Sequence, residues 1–398
     1  MQTINQDRAL LLLQQKKYDL AEKELRSALT EDVHNGLNHA YLALCLLHLN
    51  KPQEALQEAQ QAIAEEPDLD YAFYILSLIH LQEERLAESE RAIWEALTLE
   101  PYEATYHFVL GSICFSRSQW KEALASAEEG LAVEPEDVSC LNLKARALNR
   151  LGHKEMATES FGNAFLHAPD NHQTHTNQGW VYLEQAQYKQ ALHHFQEALR
   201  LNPTSDFARE GLVEALKAKY WIYRGFLQFS YKMASLSGGA RWGMYIGMII
   251  LVRVMPLLLP FYFMLIFFTW FSDLIFNTML RFNRYGRHAL SQEQIDGSNL
   301  FLALFLGGIS ALVTNFAIDL PEAGTLGIVL LGMLFPVAGT LQLEYKAPRR
   351  KSTLITWGIA TLGAATVITQ FIDPALSGNL LTGFYICVLG YTWIRASL

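Results

Sequence analysis

A 34-residue period in the N-terminal half of the chain is the feature that most constrains its fold. Three columns of small residues keep this spacing over six consecutive units, and a column of prolines closes five of the units. The columns are Ala9, Ala43, Ser77, Gly111, Ala145, Gly179; Ala21, Ala55, Ser89, Ala123, Ala157, Ala191; Ala28, Ala62, Ala96, Gly130, Ala164, Ala198; and Pro67, Pro101, Pro135, Pro169, Pro203. A fixed period of this length predicts stacked helix–turn–helix units.

Each column has a physical role in such a unit. Small residues let two antiparallel helices approach closely, since larger side chains would hold the helix axes apart. Proline after the second helix cannot continue it. One unit cannot bury its apolar face alone, so neighbouring units must stack into a solenoid.

The sixth unit carries the clearest motif: Gly179-Trp180-Val181-Tyr182, then Tyr188, Ala191, Phe195, Ala198 and Pro203. With this motif the N-terminal half resembles the tetratricopeptide repeat (TPR) family. The first unit is the loosest match, with Val33 in the proline position. The resemblance implies an all-α superhelical solenoid that binds a protein or peptide in its groove.

Charge and hydropathy change sharply after the repeats. Up to Tyr220 the chain holds 33 acidic and 19 basic residues, whereas the remainder holds 7 acidic and 12 basic ones. Hydrophobic residues make up 51% of the 398 residues, and the long uncharged apolar stretches all lie in this remainder. Such asymmetry indicates two physically different halves. The acidic repeats argue against nucleic-acid binding.

The C-terminal half contains uncharged stretches long enough to cross a bilayer. We predict three regions: six repeats in 1–204, a capping helix and an aromatic, basic juxtamembrane helix in 205–240, and a transmembrane domain in 241–398. The last has a helical hairpin at about 242–276 and spans at about 299–318, 323–343, 353–372 and 379–394. The hairpin either spans fully or is re-entrant. The basic stretch of 220–232 either lies at the headgroup level or continues the solenoid.

Loop charges predict the orientation. Basic residues flank the hairpin and lie between the second and third of the four later spans, while the alternate loops carry Asp319, Glu322 and Asp373. Since positive loops stay on the cytoplasmic side, both the repeats and the C-terminus are expected there. The arrangement resembles bacterial inner-membrane TPR proteins with a C-terminal helical domain, which implies that membrane as the location.

Intramembrane charges are candidates for function. Arg253 and Asp273 flank the apolar part of the hairpin, where they either pair or snorkel to an interface. Repeat-bearing rhomboid proteases need a Gly-x-Ser-Gly serine and a histidine base, but Gly308-Ile309-Ser310-Ala311 departs from that motif. His288, in a predicted loop, is the one histidine after His194. No catalytic residue, metal site or cofactor is therefore expected.

The groove of the solenoid remains as the candidate site. The lining positions of TPR helices, carried over in register, are Tyr71, Tyr74, Phe108, Phe115, Asn142, Arg146, Asn149, Thr176 and Trp180. Rings suit apolar side chains of an extended peptide, and amide and guanidinium groups suit its backbone or carboxylates. The first four repeats hold 25 acidic and 10 basic residues, so a basic partner is one alternative and a solvated acidic face is the other.

The sequence as a whole predicts a non-enzymatic membrane scaffold that recruits a protein or peptide to the cytoplasmic face. The alternatives are a transporter or channel component regulated by its repeats, and an assembly factor for a membrane complex. Gly243 and Gly247 form a Gly-x-x-x-Gly pair, which favours either a homo-oligomer through the membrane domain or close packing within the hairpin.

Overall fold

The computed structural model describes residues 4–234, 243–244, 246–247, 255, 259–282, 289–343 and 346–395. Within these ranges all regular structure is helical, which confirms the predicted all-α class. The chain divides into two compact units, Met1–Val181 with Arg200–Pro203, and Tyr182–Leu199 with Thr204–Leu398.

Twelve helices form the repeat region. They are α1 Ile4–Gln14, α2 Tyr18–Glu31, α3 Gly36–His48, α4 Pro52–Glu65, α5 Asp70–Gln82, α6 Leu86–Leu99, α7 Ala104–Ser116, α8 Trp120–Val133, α9 Val138–Leu151, α10 Lys154–His167, α11 His172–Glu184 and α12 Tyr188–Leu201. From α4 onward, every helix of the array begins 34 residues after its counterpart in the preceding repeat, starting with Pro52 after Tyr18. The predicted period is therefore the spacing of the helices themselves.

The small residues occupy helix crossings. The alanines of the three columns are fully buried, including Ala21, Ala55 and Ala123. A Cβ added to Gly130 would lie 2.6 Å from Sγ of Cys140, and one added to Gly111 would lie equally close to Leu143. These distances leave no room for a methyl group, which is the reason for the columns.

The turn inside each repeat has a left-handed residue that the residue types alone do not predict. A residue with positive φ recurs every 34 positions: Lys16, Asn50, Glu84, Ser118, Gly152 and Ala186. The amide of the next residue then bonds back to the first helix, as from Lys51 to the Leu46 carbonyl at 2.9 Å. This is the left-handed helix cap that glycine usually provides, yet Gly152 is the one glycine in the series.

The C-terminal region contains eight further described helices. They are α13 Asp206–Lys217, α14 Trp221–Ala234, α15 Leu259–Arg281, α16 Gln292–Ile318, α17 Pro321–Gly332, α18 Leu334–Leu341, α19 Lys346–Gln370 and α20 Pro374–Arg395. Ser205 caps α13 by accepting from the Ala208 amide at 3.3 Å. Three segments of the described chain are long and apolar enough to cross a membrane: Gln292–Ile318, Pro321–Leu341 and Arg349–Gln370.

These three segments differ in how much of their surface the protein covers. The apolar stretch of α16 is 17% buried and that of α19 is 22% buried, whereas 61% of the stretch formed by α17 and α18 is covered. Aromatic residues of α20 pack into the same core, where Phe384 and Tyr391 are fully buried. The helical group therefore has an inner segment and apolar outer faces.

A buried ion network joins α13, α14 and α15. Nζ of Lys217 lies 3.0 Å from Glu214 and 2.9 Å from Asp273, and the lysine is 2% exposed. The Tyr223 hydroxyl donates to Glu214. Burial opposes the charge on Lys217, but the two carboxylates outweigh it and raise the lysine pKa. Asp273 thus has a partner on α13; Arg253, its predicted partner, lies outside the described residues, so that pairing stays a prediction.

Candidate interaction surface of the repeats

Four tyrosine rings form a continuous ladder across α3, α5 and α7. Ring centroids are 5.4 Å apart between Tyr41 and Tyr71, 5.7 Å between Tyr71 and Tyr74, and 5.2 Å between Tyr74 and Tyr106. Tyr106 donates its hydroxyl to Asp70 at 2.6 Å. The ladder contains both tyrosines of the predicted site and spans three successive repeats.

Burial sets the ionisation of the ladder. It raises the pKa of Tyr71, and the neighbouring phenols of Tyr74 and Tyr41 add to the effect. It also raises the pKa of Tyr106, which the hydrogen bond to Asp70 raises further. The rings are therefore neutral near pH 7. Tyr41, Tyr71 and Tyr74 are half-buried and offer part of their apolar faces, a composition that suits a peptide, whereas Tyr106 is buried beneath them.

A second aromatic group joins repeats four and five. Phe115 contacts Trp120 edge-on at 4.8 Å between ring centroids. The Arg146 guanidinium lies 4.2 Å from the centre of the Phe115 ring, and that of Arg150 lies 5.3 Å from the centre of Trp120. Stacking holds both cations in place. The structure thus brings Phe115 and Arg146 together, two members of the predicted site.

Asn142 and Thr176 are placed differently. Asn142 is 5% exposed and donates from Nδ2 to the Thr174 hydroxyl at 2.9 Å, while Thr176 donates to the His172 carbonyl at 2.8 Å. Within the described part of the chain, Oδ1 of Asn142 accepts no hydrogen bond. The asparagine amide therefore links repeats five and six, and its carbonyl oxygen lies beneath the surface.

The remaining predicted residues are half-buried. Phe108 on α7 packs on the core around Val109 and Ile113. Asn149 lies one turn after Arg146 on α9, and Trp180 lies on α11. Sequence reasoning missed Tyr41, Tyr106, Trp120 and Arg150, because the groove columns at 34-residue spacing do not include their positions. Ring contacts between neighbouring helices, rather than periodicity, reveal them.

Two other candidate sites can be located. The Ser310 hydroxyl donates to the Gly307 carbonyl of its own helix at 2.9 Å, while His288 lies outside the described residues. Among the residues that the structure describes, no three histidine, cysteine or acidic side chains are grouped as a metal site would require. The repeats thus remain the candidate site.

Comparison with protein families supports the architecture. A tetratricopeptide repeat model matches residues 7–70, and another matches residues 172–205. The second match coincides with α11 and α12, the pair that carries the clearest sequence motif. The comparison with curated proteins gives no match.

Solved structures similar to the chain include several repeat proteins. MamA is 17% identical, with 42% of this chain and 95% of MamA covered and a TM-score of 0.36. YrrB, described as a TPR protein with an unusual peptide-binding site, is 18% identical over 47% of this chain and 96% of its own, with a TM-score of 0.34. PilF of Pseudomonas aeruginosa is 20% identical over 51% and 93%, with a TM-score of 0.42.

The family matches lie at the two ends of one uninterrupted 34-residue series of helices. Repeats of this family are typically interaction scaffolds rather than enzymes. The chain thus contains tetratricopeptide repeats at 7–70 and 172–205, and the helices between these two matches keep the same 34-residue spacing.

Proposed function

We propose that this protein is a membrane-anchored adaptor whose repeats recruit a protein or peptide partner to the cytoplasmic face of a membrane. The observation that carries the proposal is an array of interaction repeats in one chain with long helices whose apolar side chains face outward. Phe316 is 93% exposed, and Leu354 and Trp357 are each about two-thirds exposed. Such surfaces are unfavourable in water and favourable against lipid tails.

The orientation rests on the distribution of charge. Arg349, Arg350 and Lys351 lie at the start of α19, whereas Asp319 follows α16 and Glu322 lies in the first turn of α17. If α16 and α19 cross the bilayer, the basic end lies on the cytoplasmic side. The same rule favours that side for the repeats. A hairpin enters and leaves the membrane on one side, and Arg281 follows this one.

The tyrosine ladder is the partner site that the geometry supports best. It offers several neutral rings in a row, and repeat surfaces of this kind bind extended segments through successive side-chain pockets. Asp70 and the surplus of acidic residues in the first four repeats favour a partner with basic residues.

Photo-crosslinking tests the partner site. A benzophenone amino acid replaces Tyr74 in the ladder or, as a control, Tyr102, which is 79% exposed in the turn before α7. We expect a discrete adduct in native membranes from position 74 and none from position 102. Equal adducts from both positions, or none from either, would contradict a binding site at the ladder.

A charge variant gives an independent check. Arg146→Gln and Lys144→Gln each remove one positive charge from α9, on different faces of the helix. Arg146 stacks on Phe115, whereas Lys144 pairs with Glu128 on the neighbouring helix at 3.0 Å. The adduct at position 74 should weaken with the Arg146 variant and persist with the Lys144 variant, if the partner extends along the groove.

A further inference from the structure

An open apolar groove runs between α16 and α19, with α18 as its floor. It encloses about 280 Å³. Met333, Val337 and Thr340 lie at the bottom, each less than 10% exposed. Leu300 and Leu304 form one wall. The other wall consists of Thr353, Thr356, Trp357 and Ala360.

The hydroxyl groups of the groove are all engaged with the protein itself. Thr353 donates to the Arg349 carbonyl at 2.8 Å, and Thr356 donates to the Pro336 carbonyl at 3.3 Å. Thr340 bonds with the hydroxyls of Ser352 and Tyr391 at 2.7 and 3.2 Å. The threonines therefore turn no unsatisfied polar atom toward the groove, and its surface favours hydrocarbon over a polar ligand.

Charge lies at one end of this groove. On α19, Arg350, Thr353, Trp357 and Ala360 follow the three- and four-residue spacing of a single helix face. Arg350 is exposed. Its neighbour Arg349 pairs with Glu293 across the groove end, on α16. Among the residues that the structure describes, the Arg350 guanidinium has no ion-pair partner, and it stands in line with an apolar channel.

We propose that this groove binds one membrane phospholipid, with an acyl chain between α16 and α19 and the phosphate against Arg350. The inference rests on the proposed membrane function, because only a bilayer brings such a ligand to α19. An acyl chain fits the apolar walls, and a planar cation beside the opening suits a phosphate group. The positive end of α19 is also the end where headgroups of the cytoplasmic leaflet would lie.

The helix offers a matched control face. Lys351, Leu354, Gly358 and Thr361 form the adjacent row, shifted by one residue. Thr361 bonds to the carbonyl of its own helix, as Thr353 does, and Lys351 is an exposed cation like Arg350. Thr353→Trp fills the groove, whereas Thr361→Trp adds the same bulk outside it.

The test is native mass spectrometry of the full chain, purified in detergent, stripped of lipid and titrated with dioleoyl phosphatidylglycerol or dioleoyl phosphatidylethanolamine. We expect one tightly held phospholipid of either kind, since both contain the phosphate. Thr353→Trp should weaken it about tenfold, near 1.4 kcal/mol, and Thr361→Trp should leave it unchanged. Arg350→Gln should weaken it several-fold, while Lys351→Gln should not.

Ala360→Phe fills the other end of the groove with a smaller change, so misfolding of one variant does not decide the result. Equal phospholipid retention by the groove-filling variants and Thr361→Trp would overturn the groove as the site. Equal effects of Arg350→Gln and Lys351→Gln would overturn the assigned phosphate contact. Alkaline carbonate extraction separates these outcomes from failure of the proposed function: a chain released from membranes contradicts the anchor itself.

Discussion

Two serines in the third repeat show how single residues adapt to a repeated frame. Ser77 and Ser89 occupy columns that hold alanine or glycine in the other repeats, and both are fully buried. Their hydroxyls lie 3.0 Å apart, and each also reaches the other's carbonyl, at 2.9 Å from Ser77 and 2.8 Å from Ser89. Each hydroxyl is therefore satisfied by the other serine.

This reciprocity predicts energetic coupling. Ser77→Ala and Ser89→Ala should each lower the free energy of unfolding by about 1 kcal/mol, the net contribution of a typical hydrogen bond. The double variant restores the alanine pair used in the first two repeats and should cost less than the sum. Denaturant unfolding of the four chains in detergent measures the difference. Strictly additive effects would show that the two hydroxyls act independently.

Two histidines of the repeats form hydrogen bonds that the sequence alone does not predict. His39 and His107 occupy the same repeat position, two 34-residue periods apart. In the structure each ring bonds the carbonyl six residues earlier, Val33 and Pro101, at 3.0 Å. The period located both rings, but the polar contact depends on the fold of the turn before each helix, which side-chain spacing does not encode.

His39 should also make stability depend on pH. Its hydrogen bond to Glu58, at 2.6 Å, raises the imidazole pKa above its ordinary value, against the effect of burial; Val33 and Glu65 add to the rise. The folded state then binds the proton more tightly, so this stabilisation is full below about pH 6.5 and is lost as pH rises through the folded pKa. His39→Gln should remove that slope from thermal unfolding. If the difference in melting temperature between the two chains changes from pH 6 to pH 9 by no more than about the measuring error, the prediction is refuted.

At the scale of helices, the left-handed turn residue sets where each repeat folds back. Ser118 has φ of 61° and is exposed, and Gly152 holds the same position at 90° with nothing near its missing side chain. A left-handed non-glycine residue costs roughly 1–2 kcal/mol, and glycine loses about 0.5–1 kcal/mol more entropy on folding. The two positions differ in sequence but share one backbone requirement.

Exchanging the two residue types tests this requirement. Ser118→Gly should raise the free energy of unfolding by about 0.5–1 kcal/mol, and Gly152→Ala should lower it by a similar amount. Circular dichroism during chemical unfolding measures both. As a control, Gly162→Ala lies inside helix α10 with open space around it, where alanine should stabilise. If Ser118→Gly destabilises the chain, the left-handed conformation of Ser118 is not strained.

The positions of the repeat helices were easier to predict from the sequence than the contacts between distant helices. The proline and alanine columns located the twelve repeat helices, because they report directly on helix ends and crossings. The buried Lys217 gave no such signal: it ends an ordinary amphipathic helix, and its contact with Asp273 spans 56 residues. Long-range pairs of this kind depend on tertiary packing, so the sequence offered Arg253 as a partner for Asp273 and gave no sign of Lys217.

For the molecule as a whole, the sequence predicted a repeat region and a region of long apolar helices. The first follows from the 34-residue period, and the second follows from the length of the apolar stretches. The candidate surface was predictable only in part. Columns in register predicted Tyr71, Tyr74, Phe115 and Arg146, which lie in ring contacts of the candidate surface, and also Asn142, whose amide is buried against Thr174. Register determines which helix face a residue occupies, while neighbouring repeats determine whether it remains accessible.

The orientation of the chain is the prediction that belongs to this largest scale. If the charge rule holds, the turn between α19 and α20 lies on the side opposite the repeats. Ser377 would be a poor reporter there, because it is 1% exposed and bonds to the Thr366 carbonyl. Ala375 is exposed in the same region. Cys387, the exposed native cysteine, is first replaced by serine to lower the background.

With that background, Ala375→Cys in intact cells should react with a membrane-impermeant maleimide. Tyr102→Cys on the repeats should react only after the membrane is opened, because the array is expected in the cytoplasm. Cys45, Cys114 and Cys140 are buried, and burial raises the pKa of Cys45 to about 12, which keeps its thiol protonated and unreactive. Labelling of positions 102 and 375 from the same side would contradict an odd number of crossings between them.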